Sequence, residues 1–155
     1  IGFSLASDRI AVGTKSRFFI SPLDANSQPS EPIATQGAIW HIEFLSDGKQ
    51  LATCGDSLGV AVWNAETLQR QWQFSRQRTS IACFALSPDG QTLAAAGTDQ
   101  QVQLWHFPSG QLLCTLLHHS RNLIWMEFVS NSKLLVGSQL ADSSTEGVFV
   151  FNADE

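Results

Sequence analysis

Histidine is a common metal ligand, and His118 and His119 are adjacent in this sequence. His41 and His106 are the other two histidines that could join them. A zinc site needs three or four ligands that converge with a defined geometry, whereas adjacent side chains on a strand point to opposite faces. The pattern therefore favours a structural role for His119, and we predict neither a metal nor a cofactor.

Ser87 and Asp89, together with a histidine, offer the residue types of Ser-His-Asp catalysis. Both belong to a Ser-Pro-Asp-Gly segment, and in turns serine and aspartate side chains commonly hydrogen-bond to the nearby backbone. Because a turn already accounts for these two residues, we predict that the chain is not an enzyme.

The sequence contains three cysteines, Cys54, Cys83 and Cys114, separated by 29 and 31 residues, and no Cys-x-x-Cys pair. They fall in predicted strands, where a free cysteine behaves as a small buried hydrophobic residue. This pattern favours a reducing compartment, and we predict a cytoplasmic protein. A disulfide or a metal site is the alternative.

The charge balance argues against nucleic acid as a partner. The formal net charge is −5, and among nine lysines and arginines only Arg70, Arg76 and Arg78 cluster. A nucleic-acid surface needs a more basic face than this. No apolar run is long enough to cross a membrane, and no basic-then-apolar leader opens the chain. Because the chain begins at Ile1, a leader that has been removed stays an open alternative.

The elements that position these residues are clearest between residues 86 and 105. Pro88-Asp89-Gly90 predicts a tight turn, because proline presets φ and glycine accepts the positive φ that follows. The turn joins two apolar runs that can pair as a hairpin. After a second turn, Val102-Gln103-Leu104-Trp105 alternates apolar and polar residues. The segment therefore predicts a small antiparallel meander.

This meander recurs along the chain. Matched residues 42 positions apart are Asp47 and Asp89, Leu51 and Leu93, and Trp63 and Trp105. A further 42 residues place Leu93 on Leu135, after which a four-residue insertion within residues 139–146 brings Phe151 to the tryptophan position. A weaker first copy begins at Phe3. Four copies therefore account for the whole chain.

A period near 42 with four short strands is typical of a propeller blade, and the chain resembles the WD-repeat β-propeller family over essentially its full length. The resemblance rests on Ser87-Pro88-Asp89-Gly90, Gly97-Thr98-Asp99 and Leu104-Trp105. It implies an all-β fold of four-stranded antiparallel meanders, in one propeller domain that supplies a partial ring of about 3.7 blades.

The implied blades are residues 1–35, 36–77, 78–119 and 120–155, the last without its outer strand. Since propellers close with about four to eight blades, we expect further chain or another subunit to complete the ring.

In this family a Trp on the third strand, a Ser or Thr on the second, an Asp in the turn between them and a His before the first strand form a hydrogen-bonded set. The resemblance carries over only part of it: Thr53 and Trp63 in the second blade, Asp99 and Trp105 in the third, and His119 in the fourth. Asp47 and Asp89 are predicted to hold turns. No blade has the complete set, so we expect apolar packing to contribute more stability than the polar network.

Partners of this family bind loops at one end of the ring, which include the segment entering each first strand and the turn between the second and third strands. The candidates there are Ala38, Trp40, Arg78, Ser80, Asp99, Gln100, Arg121 and Asn122. Trp40 is the strongest, because Trp is enriched at interface hot spots and the equivalent residues are Ala82 and Ile124. The alternative is that Trp40 packs against a neighbouring blade or the central channel. Arg78 and Arg121 form either a partly basic rim or merely solvated surface charges.

We therefore predict a non-catalytic scaffold that presents loop residues to a protein or peptide partner. One alternative is a sensory or autoinhibitory domain of a larger signalling protein, such as a nucleotide-hydrolysing switch or a kinase. Another is an enzymatic propeller with a site at the channel mouth. That site would need carboxylates that converge from several blades. Glu43 and Glu127 occupy equivalent positions in the second and fourth repeats, but the third repeat has Ala85 there.

Overall fold

The computed structural model describes residues 2–6, 8–24, 26–45, 48–56, 59–74, 80–117, 122–139 and 147–152. These ranges form β-strands joined by turns and contain no helix. The strands are β1 (Gly2–Ala6), β2 (Arg9–Gly13), β3 (Arg17–Pro22), β4 (Ile33–Ala34), β5 (Ile39–Phe44), β6 (Gln50–Gly55), β7 (Gly59–Asn64), β8 (Arg70–Phe74), β9 (Ile81–Leu86), β10 (Thr92–Gly97), β11 (Gln101–His106), β12 (Gln111–Leu117), β13 (Asn122–Ser130), β14 (Lys133–Gln139) and β15 (Gly147–Asn152).

The strands form four antiparallel sheets in which each strand pairs with its neighbour in sequence. The first sheet contains β1–β4, the second β5–β8, the third β9–β12, and the fourth β13–β15 in the described ranges. This confirms the predicted all-β class and its four-stranded meanders. The chain divides into two compact units, Ile1–Ser80 and Ile81–Glu155, each with two sheets.

The first unit has a core between its two sheets. Phe18 and Ile20 of the first sheet pack against Ile42 and Trp63 of the second. The rings of Phe18 and Trp63 meet edge to face, with centroids 5.0 Å apart and an interplanar angle of 61°. Such aromatic pairs are favourable beyond the area that they bury, so Trp63 helps to hold the two sheets together.

The second unit repeats this arrangement. Val102 and Leu104 of the third sheet are buried in one cluster with Met126 and Leu134 of the fourth. Phe151 packs against the same cluster in a half-buried position. Phe151 therefore replaces the tryptophan that the second sheet has at this position, Trp63, and like Trp63 it packs against an apolar core.

The pairing of β14 corrects the register that was predicted for the fourth repeat. In the third sheet Leu93 pairs with both Leu86 and Trp105. In the fourth sheet the residue that pairs with Phe128 and Phe151 is Leu134 and not Leu135. The paired residues Leu86 and Leu93 are seven positions apart, whereas Phe128 and Leu134 are six apart, which shifts the equivalence by one.

The turn between β9 and β10 is closed by its own side chains. The Asp89 carboxylate accepts hydrogen bonds from the Ser87 hydroxyl at 2.6 Å and from the Gln91 backbone N–H at 3.0 Å. The Ser87 hydroxyl hydrogen bond is the main cause that lowers the Asp89 pKa below its usual value, followed by the Gln91 backbone bond. Gly90 has a φ of +70°, as the turn requires.

Candidate functional site

The first strands of the second, third and fourth sheets each contain a β-bulge near their start. The ladder omits Trp40 between Ile39 and His41. It likewise omits Ala82 in β9 and Ile124 in β13. A bulge leaves one residue unpaired and redirects its side chain. Trp40 was predicted to contact a partner, and Ala82 and Ile124 are its equivalents in the other repeats.

Trp40 and Ile124 direct large apolar side chains to the surface from these bulges. Trp40 is 42% exposed, and Ile124 is also exposed, whereas Ala82 is half-buried. An exposed aromatic or aliphatic side chain on a strand can contact a partner at little cost in backbone order, because the ladder on either side is already formed. The role of Trp40 as a partner contact stays a prediction, as does the alternative that it packs against a neighbouring blade or the central channel.

The loop that leads to Trp40 is fixed by contacts between three chain segments. The Asp56 N–H donates to the Ala38 carbonyl at 3.0 Å, and the Ser80 hydroxyl lies 3.4 Å from the Asp56 carboxylate. The Thr35 hydroxyl donates to the Gly37 carbonyl at 2.9 Å. Ala38 and Ser80 were predicted from the sequence as partner contacts. Asp56, which hydrogen-bonds to both, was not among the predicted residues.

The close packing of this loop also depends on a glycine. A Cβ at Gly55 would collide with the Ala38 carbonyl oxygen and lie close to the Ile39 backbone. Only glycine allows this approach of two backbones. The signal in the sequence is the repeated glycine at the end of the second strand, which also occurs at Gly97.

Asp99 and Gln100 form the turn between β10 and β11. The Asp99 carboxylate accepts from the Gln101 N–H at 3.3 Å, and the Gln100 N–H donates to the Gly97 carbonyl at 3.1 Å. Gln100 has a φ of +66°, which is uncommon for a residue with a side chain. Gly97 pairs with Ile81, so this turn lies at the same end of the third sheet as the Ala82 bulge.

Several predicted residues are not described. Arg78, Arg121, His119 and Asp47 lie outside the described residues. Asn122 begins β13, and its backbone pairs with Gln139. The basic rim and the structural histidine therefore stay predictions, and of the insertion predicted within residues 139–146 the structure describes only Gln139.

The second sheet contains the Trp–Thr contact of the predicted polar set. The Trp63 indole N–H donates to the Thr53 hydroxyl at 3.0 Å, and both side chains are buried. At the Thr53 position the third sheet has Ala95 and the fourth has Val136, neither of which carries a hydroxyl. Apolar side chains take this place in the second unit.

Ionisable groups in the described ranges are not arranged for metal binding, since no group of three or more His, Cys, Asp or Glu side chains could hold an ion there. Burial lowers the pKa of His41, whose Nε2 lies 3.7 Å from the Glu43 carboxylate. The three cysteines are free thiols, and burial raises the pKa of Cys83 to about 12. The Cys83 thiol is therefore protonated and unreactive at neutral pH.

The described strands and turns include no helix that is long and apolar enough to span a bilayer.

The family described as "WD domain, G-beta repeat" matches residues 30–64 and 68–106. WD repeat-containing protein 1 from Bos taurus is 28% identical over 101 residues, which cover 61% of this chain and 17% of the relative. Eukaryotic translation initiation factor 3 subunit I from Phaeosphaeria nodorum is 36% identical over 77 residues, which cover 46% and 22%. The chain thus spans less than a quarter of the length of either relative.

A solved structure, that of U3-55K, matches with a TM-score of 0.75 and 17% identity. The match covers 92% of this chain and 48% of U3-55K. At this level of identity the likeness concerns the fold.

Proposed function

The chain belongs to the WD-repeat β-propeller family, and from this premise we propose that it is a non-catalytic scaffold that binds a protein or peptide through the bulged ends of its sheets. The name of one relative supports a role in an assembly, since that relative is a subunit of eukaryotic translation initiation factor 3.

The observation that carries the proposal is the exposed Trp40 side chain in the bulge of β5. Its loop is held by Ala38, Asp56 and Ser80, so the indole is presented from an ordered backbone. Large rigid aromatic side chains contribute binding energy at a low entropic cost, and Trp is enriched among hot spots. We therefore expect the partner to offer an apolar pocket or an extended segment with a large apolar residue.

Trp72 provides a matched control for Trp40. Both belong to the second sheet and are exposed to a similar extent, 42% for Trp40 and 45% for Trp72. Trp72 lies on the outer strand β8, opposite Val62, at the other edge of the sheet from the bulge of β5. Peptides selected from a random library against the wild-type protein would be measured against Trp40→Ala and Trp72→Ala.

We expect Trp40→Ala to weaken binding of the selected peptides by about tenfold or more, and Trp72→Ala to leave it nearly unchanged. Both variants should keep the wild-type melting temperature, because both side chains are exposed. Peptides that depend on Trp72 and not on Trp40 would contradict the proposed site.

We also propose that residues 1–155 belong to one propeller domain whose fourth sheet is covered by a further blade, from additional chain or another subunit. The fourth sheet exposes Trp125, Val148 and Val150 on the face opposite its buried core. The positions in the third sheet that correspond to Val148 and Val150 are Val102 and Leu104, both buried. An apolar face of this kind marks an interaction surface.

We further propose a cytoplasmic location, which the free thiols support.

A further inference from the structure

Two exposed cations lie on the turn between β2 and β3. Lys15 and Arg17 are both exposed, and within the described ranges neither forms an ion pair with a carboxylate. The turn is closed by Thr14, whose N–H and hydroxyl both donate to the Arg17 carbonyl, at 2.8 and 2.9 Å. Because these bonds use only the backbone of Arg17, both cationic side chains are available to a partner.

The same turn holds the loop that leads to Trp40. The Thr35 N–H donates to the Ser16 carbonyl at 2.8 Å, at the start of the loop. At its end, the Ile39 N–H donates to the Thr14 carbonyl at 3.3 Å. The loop is therefore anchored at both ends to the turn that carries the two cations.

These anchors bring Lys15 close to Trp40. Lys15 follows Thr14 and Trp40 follows Ile39, so each lies one residue, about 3.8 Å, along the chain from a hydrogen-bonded pair. The two segments also pack closely, since a Cβ at Gly13 would lie 2.9 Å from the Ile39 Cγ2 atom. The exposed indole and the cationic turn therefore belong to one surface of the first unit.

Positive charge predominates on this surface. The turn between β2 and β3, the loop before β5 and the turn after β6 contain three residues that are charged at neutral pH, and these are Lys15, Arg17 and Asp56. The Asp56 carboxylate already lies 3.4 Å from the Ser80 hydroxyl. Glu43, the carboxylate of β5, pairs with Ala52 further into the sheet. On a chain with a net charge of −5, this surface is locally positive.

We propose that the partner bound at Trp40 is an extended acidic peptide. A large apolar residue of the peptide contacts the indole, and neighbouring aspartate or glutamate side chains contact Lys15 and Arg17. The inference rests on the proposed function, because it names the partner of the same site. Arginine binds a carboxylate through two N–H groups and lysine binds it as a point charge. Complementary charges across an interface mainly select the partner and speed its association.

The composition of the partner can be read from peptides that the protein selects. A random peptide library would first be depleted of peptides that bind Trp40→Ala and then selected on the wild-type protein. We expect the selected peptides to be enriched in Asp and Glu next to a large apolar residue. In synthetic copies, replacing Asp and Glu by Asn and Gln should weaken binding about fivefold or more, because several ion pairs are lost together.

Reversing the charges of Lys15 and Arg17 tests which residues read the acidic side chains. The double variant Lys15→Glu, Arg17→Glu should weaken binding of the selected peptides about tenfold or more, because attraction becomes repulsion. Raising the salt concentration from about 50 mM to about 500 mM should weaken binding to the wild type and change it little in this variant.

Lys49 and Arg70 provide a matched control at the other end of the second sheet. Both are exposed, and β6, whose six residues span about 20 Å, separates them from the Trp40 end by more than the Debye length of about 8 Å. Each change to Glu lowers the net charge by 2, so both double variants go from −5 to −9. We expect Lys49→Glu, Arg70→Glu to keep the dissociation constant within about twofold of the wild type. Circular dichroism would verify that both double variants fold.

The possible results separate this inference from the function on which it rests. Selected peptides without an excess of Asp and Glu, or with an affinity that the change at Lys15 and Arg17 leaves unaltered, would overturn the acidic partner and leave the Trp40 site standing. Equal weakening by the control variant would assign the effect to overall charge and also overturn it. If no selected peptide depends on Trp40, the proposed function fails, and this inference fails with it.

Discussion

Trp40 and Asp56 differ in how far their roles follow from residue type. Trp40 stands at a position where the other repeats have Ala82 and Ile124, so its unusual size is visible in the repeat alignment. Asp56 joins the loop at Ala38 to Ser80 through its backbone and side chain. That role depends on segments far apart in sequence, and nothing in the residue type indicates it.

At the residue scale, Thr53→Val should destabilise the protein by about 1–3 kcal/mol. Valine has nearly the size of threonine, but it leaves the buried Trp63 N–H without its acceptor. Urea denaturation would measure the free energy of unfolding, and Thr53→Ser, which keeps the hydroxyl, should lose less. Equal stability of Thr53→Val and the wild type would show that the hydrogen bond makes no net contribution.

At the scale of elements, bulges and turn length decide which side chains reach the surface. Consecutive apolar residues such as Ile39 and Trp40 break the alternation of a strand, and this signals an irregularity. The pattern does not indicate whether Ile39 or Trp40 is the unpaired residue of the bulge, because in either case one apolar side chain points into the core. Packing resolves this, since Ile39 is buried in the first unit and Trp40 is exposed.

The turn between β9 and β10 gives a prediction at this scale. Gly90→Ala should cost about 1–2 kcal/mol, because φ is +70° and the added Cβ has no atom within 4 Å, so only backbone strain acts. Gly90→Asn should cost less, since asparagine tolerates this conformation. The shift of the urea midpoint at constant slope is the measurement, and an unchanged midpoint in Gly90→Ala would mean that the turn has relaxed.

At the scale of the whole molecule, the exposed face of the fourth sheet gives a prediction about completeness. Val150 is 61% exposed in residues 1–155, so Val150→Lys should change the stability of this segment by less than about 0.5 kcal/mol. If a further blade covers the face, the same change should cost several kcal/mol in the protein isolated with that blade, because a charge would be buried without a partner.

Thermal unfolding of both forms would compare the two costs. Leu23→Lys is the control, since Leu23 is exposed outside the strands of the first sheet and should behave alike in both forms. An equally small effect of Val150→Lys in both forms would argue against a covering blade.

The fold class and the repeat follow from the amino-acid sequence alone, because strand alternation, turn residues and a 42-residue period are local or repeated signals. The resemblance to the WD repeats pointed to Trp63 and Thr53, whose side chains are hydrogen-bonded, and the entry to each first strand stays a prediction for the partner site. The register of β14, the bulges at Trp40, Ala82 and Ile124, and the role of Asp56 are seen only in the folded chain. These depend on one-residue differences in connections and on contacts between distant segments, which packing selects and local preference does not.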